Sequence, residues 1–351
     1  VIRDRSAPPT SSQRTRTAIE GLQNIDRDFS SPNSCSGDNL REEQDHAKEI
    51  ILALNPHEVF EVALILHHRF PEFAFLHLPT FQEEWKNGDG SWLLIAAIFA
   101  LCSRFVPPCN KPKLLSEDQF ASYARIGLQS VLNGPPSLPI VQVLLIMSMF
   151  EWGSGNGHGA WMHSGMAIRM MQSLDSTRQN SSIHDLSGEI YSRTYWSCFV
   201  MDRFIFCGKS QPLALPVATM KIEVPSGEQS FAFGISEGSK ISFDSGCPFT
   251  VNEYYIVLIK GFDIWAKILD LIVSGGRRKP SMSKPENCPW VTGSPWKSLL
   301  DALEEWRSQQ CDRLKFPTTS VAAHVSLGSG GKFAYVNLLY YVWYVWYLII
   351  S

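Results

Sequence analysis

The chain has 351 residues, with 31 Lys plus Arg against 34 Asp plus Glu for a formal charge of −3, and 44% of its residues are hydrophobic. That much apolar sequence supports a large core and excludes wholesale disorder. The near-neutral balance excludes a module held to nucleic acid by bulk positive charge.

Residues 1–37 are rich in Ser, Thr, Pro and Arg without a helical or strand period, and they read as a flexible polar linker. A helical rhythm starts at Asp38 and defines a second region, 38–351. Asp38 is placed to cap a helix to about Leu54, and Asn55-Pro56 opens the next, with Pro where its missing N–H is harmless. Thr80 followed by Glu83 predicts a capping box for a short helix ending near Trp85. Ser91 opens a nearly uncharged helix over 92–105, which must be buried on most sides. Ser116 with Gln119 forms a second capping box, for a helix to about Leu132. Further helices are expected at 139–151, 158–174 and 185–206. Residues 216–250 lose the period and read as an irregular excursion. Helices resume at 251–273, a Pro-rich linker spans 274–295, and two last helices occupy 294–310 and 333–350. The fold class is therefore all-α, a multi-helix array of antiparallel helices.

Chemistry-bearing patterns are few. The eight cysteines have no pair spaced by two to four residues, so no zinc-cluster spacing exists; Cys102, Cys198 and Cys207 read as buried thiols of a reducing compartment. Gly155-Asn156-Gly157-His158-Gly159-Ala160, with Asp175 twenty residues past Gly155, imitates a dinucleotide fingerprint. It lacks the flanking strands and reads as a tight turn between helices. No nucleophile elbow or His-Glu-x-x-His is present, and no enzyme is read from the sequence. The uncharged run 333–350 reaches membrane-spanning length, but eight of its eighteen residues are aromatic and Tyr is spread along it, so a buried helix fits better.

Residues 157–216 carry most information. Gly159-Ala160-Trp161 leads into Gly165-Met166-Ala167-Ile168-Arg169-Met170, whose small residues predict close helix approach, with an acid partner expected for Arg169. The next helix has Glu189 and Arg193 as an i, i+4 pair at an exposed beginning, then Trp196, Phe199 and Asp202-Arg203, whose charges need partners if buried. Gly208-Lys209-Ser210-Gln211-Pro212 then ends it.

This succession resembles the fungal-specific transcription factor domain, the middle homology region of fungal zinc-cluster (binuclear zinc, six-cysteine) regulators. The family pattern is Gly-x-Ala-Trp-x-x-x-Gly-Met-Ala-x-Arg-Met, then Glu-x-x-x-Arg-x-x-Trp-x-x-Phe-x-x-Asp-Arg, then a Gly-Arg-Pro turn. His77-Leu78-Pro79-Thr80-Phe81 is similar to its upstream His-x-Pro-Thr-Phe segment, and 333–348 to its later aromatic helix. The sequence departs where Leu174 to Arg178 replaces Leu-Gly-Leu-His-Arg, and where the turn from Gly208 to Pro212 is longer and has Lys209 for Arg.

The resemblance implies a regulator of RNA polymerase II transcription in the nucleus. It implies DNA contacts made by an N-terminal zinc cluster that this chain lacks, homodimerisation, and a metabolite effector or a coregulator protein as partner. Zinc is implied only for that cluster; no cofactor and no membrane partner is read for this chain. Its opening on Val1 and its close inside an apolar run read as a piece of a longer protein. A helical small-molecule sensor or protein-interaction domain without DNA binding is the alternative.

Overall fold

In the computed structural model the described residues are 36–107, 115–177, 185–205, 213–216, 222–235, 253–315, 320–329, 338–344 and 347. They fall into two compact units, 1–46 and 47–351, and the described part of the first is the beginning of helix α1 (Ser36–Leu52). The linker expected over 1–37 lies almost wholly outside the described residues.

The second unit is a stack of helices whose starts follow from capping. Asn55 accepts the His57 N–H at 2.9 Å and Pro56 begins α2 (Pro56–Arg69). Helix α3 (Leu78–Asn87) departs from expectation. It begins before Thr80, and its cap is His77, whose Nδ1 accepts the Thr80 N–H at 3.4 Å while Pro79 sits in the first turn. The proline is pre-set for a first helical turn, so the helix starts there, and an imidazole nitrogen replaces the hydroxyl cap. Ser91 caps α4 (Trp92–Cys102), which is buried from Leu93 to its end, as its lack of charge requires. The Ser116–Gln119 capping box is formed in both directions at the start of α5 (Glu117–Val131).

Helices α6 (Leu138–Gly153) and α7 (Gly157–Thr177) lie along one another and are joined by the glycine-rich turn. Gly155 is left-handed there (φ 80°), and the Asn156 side chain accepts the Gly159 N–H at 3.0 Å, so the apparent dinucleotide fingerprint is a capped helix–helix turn. Helix α8 (Leu186–Ile205) packs on α6, α7 and α10 (Tyr254–Val273). Among the described residues there is no strand, and α4, α6, α8 and α10 supply most of one continuous apolar core.

The irregular stretch after α8 contains a segment without helix or strand, 222–227, and the short helix α9 (Glu228–Ala232). The linker at 274–295 is a run of 3-10 turns, Gly276–Arg278, Pro280–Ser283 and Pro285–Asn287, the last two opened by a proline, before α11 (Pro295–Ser308). Helix α12 (Val321–Ser329) was not expected, because its Ala, Ser and Gly residues give no apolar period. Of the run 333–350, residues 338–344 are helical with Leu339 and Val342 buried. Among the described residues no single helix is long and apolar enough to cross a membrane. Cys102 and Cys198 are buried free thiols, and Cys207 lies outside the described residues.

The crossing of α10 and α11 depends on a missing side chain. A Cβ on Gly261 would lie 2.6 Å from the Trp306 ring, whose Nε1 donates to the Val257 carbonyl at 2.8 Å. Gly261→Ala therefore forces Trp306 off that bond, and urea unfolding should show a loss of about 1–2 kcal/mol, overpacking outweighing the gain in helix propensity. An unchanged midpoint would mean that the indole moves freely.

Candidate functional site

The residues singled out from sequence separate into two groups. On α7 the expected burial is only half realised. Ala167 is fully buried and Met166 packs against the core, but Trp161 is 40% exposed, Gly165 is open, and Arg169 is exposed and donates to Gln172 Oε1 at 2.9 Å. Arg169 therefore forms no buried ion pair, because its side of the helix faces water rather than the core. Close approach between α6 and α7 runs instead through Ala160 and Ser148, whose hydroxyl donates to the Ala160 carbonyl at 2.8 Å. His77 and Phe81 are buried beside the start of α3, while Pro79 is exposed. Gly208 and Pro212 lie outside the described residues.

On α8 the residues converge. Glu189 and Arg193 pair as their spacing predicts, at 2.8 Å, but the pair is buried and not exposed: Arg193 has no accessible surface. The cause is the segment 222–232, which covers the start of α8 and adds a second acid. Arg193 Nη1 donates to Glu228 Oε1 at 2.6 Å and to the Ala74 carbonyl at 3.0 Å, and Nη2 donates to the Ser226 carbonyl at 2.8 Å. The guanidinium carbon lies 3.9 Å from the centre of the Phe231 ring. Burial alone would pull the Arg193 pKa down, but Glu228 and Glu189 hold it above its usual range. The segment is further held by Ser192 Oγ and Trp196 Nε1, both donating to the Glu223 carbonyl at 2.9 Å, and by the Ser226 N–H donating to Glu189 Oε1. His77, the cap of α3, joins with its ring centre 5.1 Å from that of Phe231 in a T-shaped contact, and burial holds its imidazole below the usual range.

Ten residues along α8, Asp202 and Arg203 satisfy the requirement that buried charges find partners. Asp202 accepts the N–H groups of Ala214 and Leu215 at 3.3 and 3.0 Å. Arg203, only 1% exposed, donates to the carbonyls of Leu215 and Phe199 and lies over the Phe199 ring; Asp263 of α10 stands 3.6 Å away. Burial lowers the Arg203 pKa to about 10, against the opposing pull of Asp263 and Asp202, which leaves it charged at neutral pH.

Sequence reasoning missed Glu228, Ser226 and Asp263. Asp263 had a weak signal, as one of four charged residues, with Lys260, Lys267 and Asp270, in the mostly apolar helix 254–273. Glu228 had none, since it lies in aperiodic sequence. Among the described residues no group of three or more His, Cys, Asp or Glu is placed to hold a metal ion, so nothing in them fits a zinc cluster. The arrangement aims its donors at backbone carbonyls and carboxylates of the chain itself: α8 clamps two connecting segments, 213–216 and 222–228.

A family model described as the fungal specific transcription factor domain matches residues 64–308, which contain both α7 and α8 and all of these contacts. The chain belongs to that family. Among similar proteins of this family, an uncharacterized transcriptional regulatory protein of Schizosaccharomyces pombe is 25% identical over 304 residues, covering 78% of this chain and 30% of that protein. A Zn(2)-C6 fungal-type transcription factor of Fusarium oxysporum f. sp. lycopersici is 31% identical over 294 residues, covering 76% of this chain and 31% of its own length. A second from the same organism is 24% identical over 293 residues, covering 76% and 27%. The chain thus spans about a third or less of the relatives it matches. No solved structure matches it. Its family is one of transcription regulators, and the α8 clamp is part of this chain's version of the fungal specific transcription factor domain.

Proposed function

We propose that this chain is the regulatory helical domain of a fungal zinc-cluster transcription factor that acts on RNA polymerase II genes in the nucleus. In this reading a zinc cluster outside the chain contacts DNA, and the helical domain modulates what that contact does. The observation that carries it is the family match over 64–308, which takes in the helical body together with both motif helices. That the Fusarium relatives are Zn(2)-C6 factors supports the zinc cluster, and the formal charge of −3 fits a body that leaves phosphate contacts to another module.

Two measurements test this. Fluorescence anisotropy with the isolated chain should show no sequence-specific duplex binding at physiological salt; specific binding by this chain would overturn the division of labour. In the complete protein, removing 47–350 should change reporter transcription while leaving target-site binding in place. Unchanged transcription would leave the alternative, an interaction or sensor domain with no regulatory output of its own.

A further inference from the structure

The partners of Arg193 are unequal. Glu189 lies one turn back on the same helix, and its Oε1 also takes the Ser226 N–H, so it is fixed from two sides. The Glu228 side chain is 20% exposed, and its Oε1 takes Arg193 Nη1. It begins a five-residue helix whose preceding Gly227 offers no side-chain cap. If Glu228 left, Nη1 would keep the Ala74 carbonyl and Arg193 would keep Glu189. His67 Nδ1 is buried without a hydrogen-bond partner; burial lowers the His67 pKa, with smaller opposing effects of the Glu228 and Arg193 charges. The buried Phe231 ring closes the other side. A carboxylate-binding set is therefore assembled here, with two carboxylates supplied by the chain itself, Glu189 fixed and Glu228 part-exposed.

We propose that Glu228 is the built-in occupant of an anion site, and that a small carboxylate ligand displaces it. The ligand's carboxylate pairs with Arg193 Nη1, and a second polar group on it meets His67 Nδ1. Displacement frees the covering segment 222–235 from its strongest tie to α8. The importance of the site for gene control rests on the regulatory reading above, whereas the binding itself does not.

The test uses the full chain and propionate as probe. Glu228→Ala should lower Tm by about 3–6 °C. Sodium propionate up to about 50 mM should recover at least half of that loss along a saturating curve, and sodium chloride at equal ionic strength should not. Glu228→Gln, whose amide fills the same space, should show no recovery. In the wild-type chain, succinate should speed hydrogen exchange of the amides at 223–235 by about threefold or more and leave those of α6 unchanged. Equal responses to propionate and chloride, a linear response, or equal rescue of the Gln variant would overturn the site. Unchanged exchange with succinate would overturn displacement, and this arm decides alone if Glu228→Ala does not fold. Propionate rescue with a failed reporter experiment removes only the regulatory reading; the reverse result removes only the site.

Discussion

Replacing Arg193 with Met should destabilise the helical unit by about 3–5 kcal/mol, a loss expected when one member of a buried charge network is removed. Methionine comes close to the arginine stem in volume, so the change isolates the guanidinium. Without it, Glu189 keeps a buried carboxylate whose remaining contact is the Ser226 N–H, and the carbonyls of Ala74 and Ser226 lose their donors. The ring of Phe231 loses the cation lying over it. Urea unfolding followed by circular dichroism measures the total, and hydrogen exchange locates it. The amides at 223–232 should open first, because Arg193 ties them to α8. A loss below about 1 kcal/mol would show that the segment is held by Val224 and Phe231 packing and by the Ser192, Trp196 and Glu189 hydrogen bonds without Arg193.

Glu72 should give the domain an unusual pH dependence. It lies in the tight turn Pro71–Phe73, buried at the foot of α2, and forms no ion pair among the described residues. Burial pushes its carboxyl up from 4.5 to about 7, with only its own backbone N–H favouring the charged form. Between those values the folded chain keeps a proton that the unfolded chain has released. Stability from this residue is therefore greatest below pH 4.5, falls as pH rises to 7, and is level above it. The total fall is about 3 kcal/mol at one shifted pKa unit per 1.4 kcal/mol. Glu72→Gln removes the titration, so the difference in stability between variant and wild type should shift in the variant's favour by about that amount from pH 4.5 to 8. Parallel stability curves would mean that water reaches the carboxylate.

Sequence periodicity located the helices well because most have a strong cap or an unbroken apolar face. Asn55-Pro56, Ser91 and the Ser116–Gln119 pair act locally and are legible in a few residues. His77 shows the limit of such reading: an imidazole cap has no common signature, so Thr80 appeared to be the start. The motif on α8 was legible as a set of charges requiring partners, but their burial was not. Burial of Arg193 depends on Glu228 and Ser226, more than thirty residues later in sequence without a period. Arg169 erred in the opposite direction. Apolar neighbours in sequence suggested an interior, yet one side of α7 is open to water and Gln172 is partner enough.

The clamp on α8 also fixes how the connections after it can move. Ser192 and Arg193 grip 222–228 near one end, and Asp202 and Arg203 grip 213–216 near the other, ten residues or about 15 Å along one rod. A helix transmits rotation about its axis with little loss over that distance. Any event that turns α8 must therefore pull on both connections together, whereas an event that loosens one connection leaves the other fastened. Helix α8 thus fastens the connection that follows it at two separate points.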